Sequence, residues 1–144
     1  MRAWPVAAAL VLPLPAQARE TTLGPICVLT HSTADAEISL TYAPARPLYT
    51  LSTTLSDAPW PNANVFAMEF GPQRPNGIST TQHALNDDGV TLNVADAGFG
   101  NVLSGLQFNS AAVAVSGVRR VGLPLAGAAD PVAAFRDCPQ GPSV

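Results

Sequence analysis

His31 and His83 are the only histidines in the sequence, and each is a candidate acid–base group. Either would need a serine, cysteine or carboxylate within hydrogen-bond reach to do nucleophilic or proton-transfer chemistry. No Gly-x-Ser-x-Gly elbow is present, and the two imidazoles lie far apart on stretches that read as strands. The expectation is therefore two structural histidines, solvent-facing or hydrogen-bonded. Asn86-Asp87-Asp88-Gly89 resembles a fragment of a calcium loop but lacks the spaced carboxylates and the closing glutamate. It reads as a type I turn with a left-handed glycine that ties two strands into a hairpin. Gly98-Phe99-Gly100-Asn101 is glycine-rich and follows a strand. It lacks the third glycine of a dinucleotide fingerprint and the Lys-Ser/Thr of a phosphate loop. The expectation there is a tight turn into a short helix, with Phe99 packed on the core.

Trp60 sits between Pro59 and Pro61 in a long loop, Ser56 to Ala63. Aromatics on stiff loops are common binding anchors, so Pro59, Trp60 and Pro61 form a candidate binding loop. The competing reading folds Trp60 back to cap one end of the core. Arg46, Arg74, Arg119 and Arg120 would make an anion patch only if the fold gathered them; scattered, solvated arginines are the expectation.

Compartment decides how the two cysteines are read. Arg2 supplies a short positive region, Ala3 to Leu14 is uncharged and mostly apolar, and Ala16-Gln17-Ala18 is a small-x-small cleavage site. Met1–Ala18 therefore reads as a cleavable signal peptide. Its apolar run is too short for a membrane span and is broken by Pro5 and Pro13, with Pro15 following. No later stretch is long and apolar enough to span a bilayer, so the mature chain is expected to be a soluble periplasmic or secreted bacterial protein. In such a compartment Cys27 and Cys138, near opposite ends of the mature chain, read as one structural disulfide. Their spacing gives no CxxC redox motif, and two thiols make a poor zinc site. No cofactor or metal motif is present.

Seven arginines, Arg2 among them, stand against ten acidic residues, and there is no lysine. A protein that grips nucleic acid neutralises phosphates with a cationic footprint. This chain has none, which excludes nucleic acid as a partner and argues equally against an anionic membrane surface.

The elements that must position these residues are mostly strands. Alternating apolar and polar residues mark Ile26 to His31, Ile38 to Tyr42, Tyr49 to Leu55, Phe66 to Phe70, a weaker Ile78 to Gln82 followed by His83 to Asn86, Val90 to Val94, Val113 to Val115, and Val121 to Leu125. Pro124 inside the last run suggests an edge position. Pro75-Asn76-Gly77, Ser116-Gly117 and Ala43-Pro44-Ala45-Arg46-Pro47 read as turns. Asn101 to Phe108 allows one or two helical turns, weakened by Gly105. Asp130 to Cys138 is the stronger helix, with Asp130 as N-cap, Pro131 at the first position and Pro139 as stop. Val132, Phe135 and Cys138 share one face of it, which would bring Cys138 to Cys27. The expected fold is mostly β, a single small sandwich or curved antiparallel sheet with a short C-terminal helix packed on it. Residues 19–25 read as a flexible lead-in, 26–139 as the domain and 140–144 as a frayed tail.

The segment from Arg119 to Pro139, an edge strand followed by Ala126-Gly127 and a short helix, resembles the C-terminal pattern of small exported alphaproteobacterial proteins such as the invasion-associated locus B family. The resemblance implies a periplasmic or envelope β-sandwich without established enzymatic activity and assigns no functional residue. The expected function is a non-enzymatic binding or structural module, with another envelope protein or a cell-wall component as partner. The rival is a small secreted hydrolase or enzyme inhibitor.

Overall fold

The structure, a computed structural model, describes residues 19–22 and 26–138. The leader Met1–Ala18, the helix stop Pro139 and the tail 140–144 lie outside the described residues. Among the described residues, ten strands and two helices follow one another: β1 (Arg19–Thr22), β2 (Cys27–Ser32), β3 (Ala36–Ala43), β4 (Leu48–Leu55), β5 (Phe66–Gly71), β6 (Asn76–Thr80), β7 (Ala84–Leu85), β8 (Thr91–Asp96), α1 (Gly100–Phe108), β9 (Ala111–Ser116), β10 (Arg119–Pro124) and α2 (Ala129–Asp137). They form a six-stranded sheet ordered β1-β2-β3-β4-β8-β7 and a four-stranded sheet ordered β10-β9-β5-β6. All pairings are antiparallel.

The alternation in the sequence sorts side chains between the two faces of each sheet. Leu29, Ile38, Leu40, Leu51 and Leu92 point inward from the larger sheet; Phe66, Met68, Phe70, Ala114, Val121 and Leu123 come from the smaller one, and all are buried in one core. Alanines at 112 and 114 face the core from β9, next to Phe70 and Met68 on the paired strand β5, so small and large residues alternate across the layer.

Each hairpin has a local cause. Gly117 has φ +58° and Val118 does not share its positive φ, a type II′ pattern between β9 and β10. Gly89, at φ +75°, closes the Asn86 turn through its amide bond to the Asn86 carbonyl at 2.9 Å. The expected turn at Pro75-Asn76-Gly77 lies earlier, because Asn76 and Gly77 already pair with Phe70 and Glu69 in β6. Asn109 holds the true loop: its side chain accepts from the Arg74 amide at 2.7 Å and donates to the Arg74 carbonyl at 3.0 Å. Arg19–Thr22, read as lead-in, instead pairs with His31 to Val28 as strand β1. Two consecutive β-branched threonines beside an open strand edge favour that pairing.

The helices join the sheets. α1 packs on β5, β6 and β9, α2 packs on β1 and β2, and the two pack on each other. Arg136 of α2 donates to Gln107 at 2.6 Å and to Ser104 at 3.1 Å, both on α1. Val132 and Phe135 are fully buried, and the disulfide links Cys138, just past α2, to Cys27 at the start of β2. The N-cap of α2 is Ala128, not Asp130. Gly127, at φ +80°, and the bond from the Ala128 amide to the Leu125 carbonyl turn the chain early, so the helix starts before Asp130. Asp130 then stands in the first turn and Arg136 in the last, each matched to the helix dipole.

Candidate binding cleft

A cleft of about 700 Å³ opens where the two sheets part between β6 and β8. Gly77 to Thr80 and Gln82 form one wall. Val94 to Asp96 form the other, and Gly98 to Val102 close the end at the start of α1. Val94, Phe99 and Val102 are buried and Ile78 is packed against the core, so the floor is apolar. The rim carries Ser79, Thr80, Gln82, Asn101 and one carboxylate, Asp96. Asn76 donates to the Asn101 carbonyl at 2.6 Å, which fixes the end of β6 against α1.

Local sequence explains the shape. Strand β8 ends at Asp96, whose carboxylate accepts from the Ala97 amide at 2.6 Å and turns the chain. Phe99 then buries its ring against Tyr49, with centroids 5.4 Å apart, and α1 begins at the next residue. A side chain on Gly98 or Gly100 would meet nothing within 4 Å. Packing therefore does not require a glycine at either position. The expected turn into a short helix, with Phe99 in the core, is the arrangement found. What the glycine motif did not reveal is the cleft beside it. Its other wall comes from β6, whose residues carried no chemical signal in the sequence.

The structure scatters the remaining candidates. Trp60 is 3% exposed, and its indole donates to the Thr53 carbonyl at 3.0 Å and meets the Phe66 ring edge-on at 6.0 Å. It caps the core, as the competing reading of Trp60 expects, with the indole turned inward. Pro59 stays exposed and Pro61 half-buried on either side. His31 is buried, with Nε2 2.7 Å from the Pro124 carbonyl; His83 is half-buried, with Nε2 2.9 Å from the Ala63 carbonyl. A carbonyl only accepts, so in both rings Nε2 carries the hydrogen. His83 lines a second cleft of about 540 Å³ that also includes Thr81, Asn86 and Asp87. Asp88 accepts from the Val90 amide at 3.1 Å and completes the hairpin turn. Arg119 pairs with Asp57 at 2.8 Å, while Arg74 lies over the Phe108 ring at 4.5 Å. Arg119 and Arg74 are held at opposite ends of the smaller sheet.

A last surface is the outer face of the larger sheet. Thr30, Ser39, Ser52 and Asn93 lie side by side across four strands, and Ser32, Glu37, Thr54 and Thr91 form the next row. Ser52 donates to Asn93 at 2.6 Å, and the Thr54 and Thr91 hydroxyls lie 2.9 Å apart. Glu37 is the only charged residue in these rows.

The architecture defines a two-sheet antiparallel sandwich bridged by a helix pair. Comparison with protein-family models, curated proteins and solved structures finds no match to this chain. Among the described residues, no three His, Cys, Asp or Glu side chains come together in a way that could hold a metal ion, and no helix is long and apolar enough to cross a membrane.

Proposed function

We propose that this is an exported, non-enzymatic binding module of the bacterial envelope, and that the cleft between β6 and β8 is its binding site. The observation that carries the reading is the make-up of that cleft: an apolar floor of Ile78, Val94, Phe99 and Val102 under a rim of uncharged hydrogen-bonding groups and one carboxylate. Such a combination suits ligand recognition. The leader pattern and the Cys27–Cys138 bridge support export. The likeness of residues 119–139 to the locus B family agrees with an envelope role. The hydrolase alternative has less support, since both histidines spend Nε2 on backbone carbonyls.

Two measurements test the proposal. Mass analysis of the periplasmic fraction should return a chain beginning at Arg19; full-length protein confined to the cytoplasm overturns export. Capture from envelope extract should lose its partner when the cleft is blocked by Thr80→Arg with Asp96→Arg, both exposed or half-buried positions. Undiminished capture by that variant removes the cleft from the reading.

A second reading rests on the hydroxyl rows of the larger sheet. A flat, nearly uncharged face of Ser, Thr and Asn can exchange hydrogen bonds with a neutral cell-wall polysaccharide. Co-sedimentation with purified murein should then fall when Ser39→Glu and Thr50→Glu are introduced on that face; sedimentation unchanged by these charges would discard it.

A further inference from the structure

We propose that β6 is a docking edge, at which an extended polypeptide segment adds as a fifth strand to the smaller sheet. The inference rests on the cleft being the binding site and goes further by naming the class of ligand and the way it is held.

The argument starts from how the free edges differ. Four strands end a sheet: β1 and β7 in the larger, β10 and β6 in the smaller. An open edge presents unpaired amides and carbonyls to any passing strand, and proteins usually blunt it with charge, proline or brevity. Strand β1 carries Arg19 and Glu20. Strand β7 has two residues. Strand β10 begins with Arg119-Arg120 and ends with Pro124. Strand β6 reads Asn-Gly-Ile-Ser-Thr over five residues, with no charge and no proline inside it. Among the described residues it is the one sheet edge left without charge, proline or brevity, and it borders the 700 Å³ cleft.

The far wall fits the same occupant. Strand β7 pairs with β8 only at Leu92 and Asn93, so Val94 to Asp96 have no strand on that side. A segment lying along β6 would project alternate side chains onto Ile78, Val94 and Phe99, and the others outward. The rim sets the charge. Asp96 is its only ionised group, so a basic residue in the segment is favoured and an acidic one opposed. The main chain supplies most of the hydrogen bonds, as in other strand-addition complexes, while the apolar floor selects alternate side chains.

The test uses the oxidised mature protein and a displayed library of random linear peptides. Selected peptides should alternate apolar residues with at least one Arg or Lys. In hydrogen exchange they should protect the amides of 76–80. Methylating alternate peptide nitrogens should weaken binding about tenfold or more, the equivalent of losing one or two net hydrogen bonds. Asp96→Asn should weaken the basic binders without changing the fold. Binding that survives methylation of both sets of alternate nitrogens, tested in turn, or that protects 98–102 but not 76–80, overturns strand addition while leaving the cleft as a binding site; the set that faces away from β6 is expected to tolerate methylation. A selection yielding no binder, or binders that protect neither wall, overturns strand addition; the cleft itself stands or falls by the capture experiment with Thr80→Arg and Asp96→Arg. Protection of 76–80 that grows with protein concentration in the absence of peptide would show a second copy as the occupant and overturn the proposal.

Discussion

The ring of Phe70, on β5, occupies the space that a side chain at Gly105, in the middle of α1, would fill. Helix propensity alone favours alanine over glycine there by about 1 kcal/mol. The packing reverses the sign. A methyl group at 105 must displace an aromatic ring that is 4% exposed and backed by the core, and overpacking of this kind costs about 1–3 kcal/mol. Gly105→Ala is expected to lower stability in urea unfolding. Phe70→Leu should recover part of the loss in the double variant, since the two positions share one volume. A Gly105→Ala protein more stable than the parent would mean that α1 and β5 stand further apart.

That pair also shows where sequence reasoning stops. The strands were legible because one face of each is buried and the other is not, and residues 38–42, 49–55 and 66–70 carry that contrast plainly. Gly105 looked like a weakness in a helix because its reason lies on a strand more than thirty positions away. Asn109 gave no signal for the same reason: it serves Arg74 across the loop. The candidate cleft was half visible. Gly98-Phe99-Gly100 marked one wall through local turn chemistry. The other wall is defined by what β6 lacks, a neighbouring strand, and only the sheet order reveals that. Asp130 misled because a good capping residue was read as the cap, while the glycine that turns the chain lay three residues earlier.

Trp60 gives a second prediction. The sequence has two tryptophans, Trp4 and Trp60, and in protein prepared to begin at Arg19 fluorescence reports on the Trp60 loop alone. With the indole buried and bonded to the Thr53 carbonyl, emission should be blue-shifted and resistant to acrylamide quenching. Trp60→Ala should cost about 3–5 kcal/mol, the usual range for removing a large buried aromatic. Trp60→Phe should cost less and should leave the Thr53 carbonyl without its donor. A red, readily quenched emission would place the indole in water and restore the binding-loop reading.

The disulfide gives a third. Cys27 and Cys138 close a loop with a sequence separation of 111, and their Cα atoms lie 6.3 Å apart. Chain entropy assigns a loop of that length roughly 4–5 kcal/mol, above the 2–4 kcal/mol that disulfides usually deliver. The double variant Cys27→Ala with Cys138→Ala is therefore expected to unfold at clearly lower urea concentration, with α2 released from β2 first. Hydrogen exchange should show early loss of protection in residues 129–137. Alkylation of the native protein without reductant should label neither cysteine. Two reactive thiols in periplasmic material would remove the cross-link, and with it a main support for export.

Alkaline pH offers a sharper probe than usual because the chain has no lysine and its two cysteines are bonded. The sequence holds two tyrosines, Tyr42 and Tyr49, so a phenol signal is easily assigned. Tyr49 lies 4.3 Å from the Tyr42 ring and 6.3 Å from Phe135, centroid to centroid. Burial pushes its phenol above the ordinary value of 10.0; Tyr42 adds to the rise and Arg136 opposes it. In the unfolded chain Tyr49 returns to the ordinary value and gives up its proton first. From about pH 10 upward the unfolded state is therefore favoured: the contribution of Tyr49 is fully present below the unfolded pKa and is lost as pH rises through the folded one. Absorbance titration of tyrosinate should show a component that ionises later in the native protein than in urea. Tyr49→Phe should delete that component and flatten the fall of the melting temperature above about pH 10. A late component that persists in Tyr49→Phe would show that Tyr49 is not the shielded phenol.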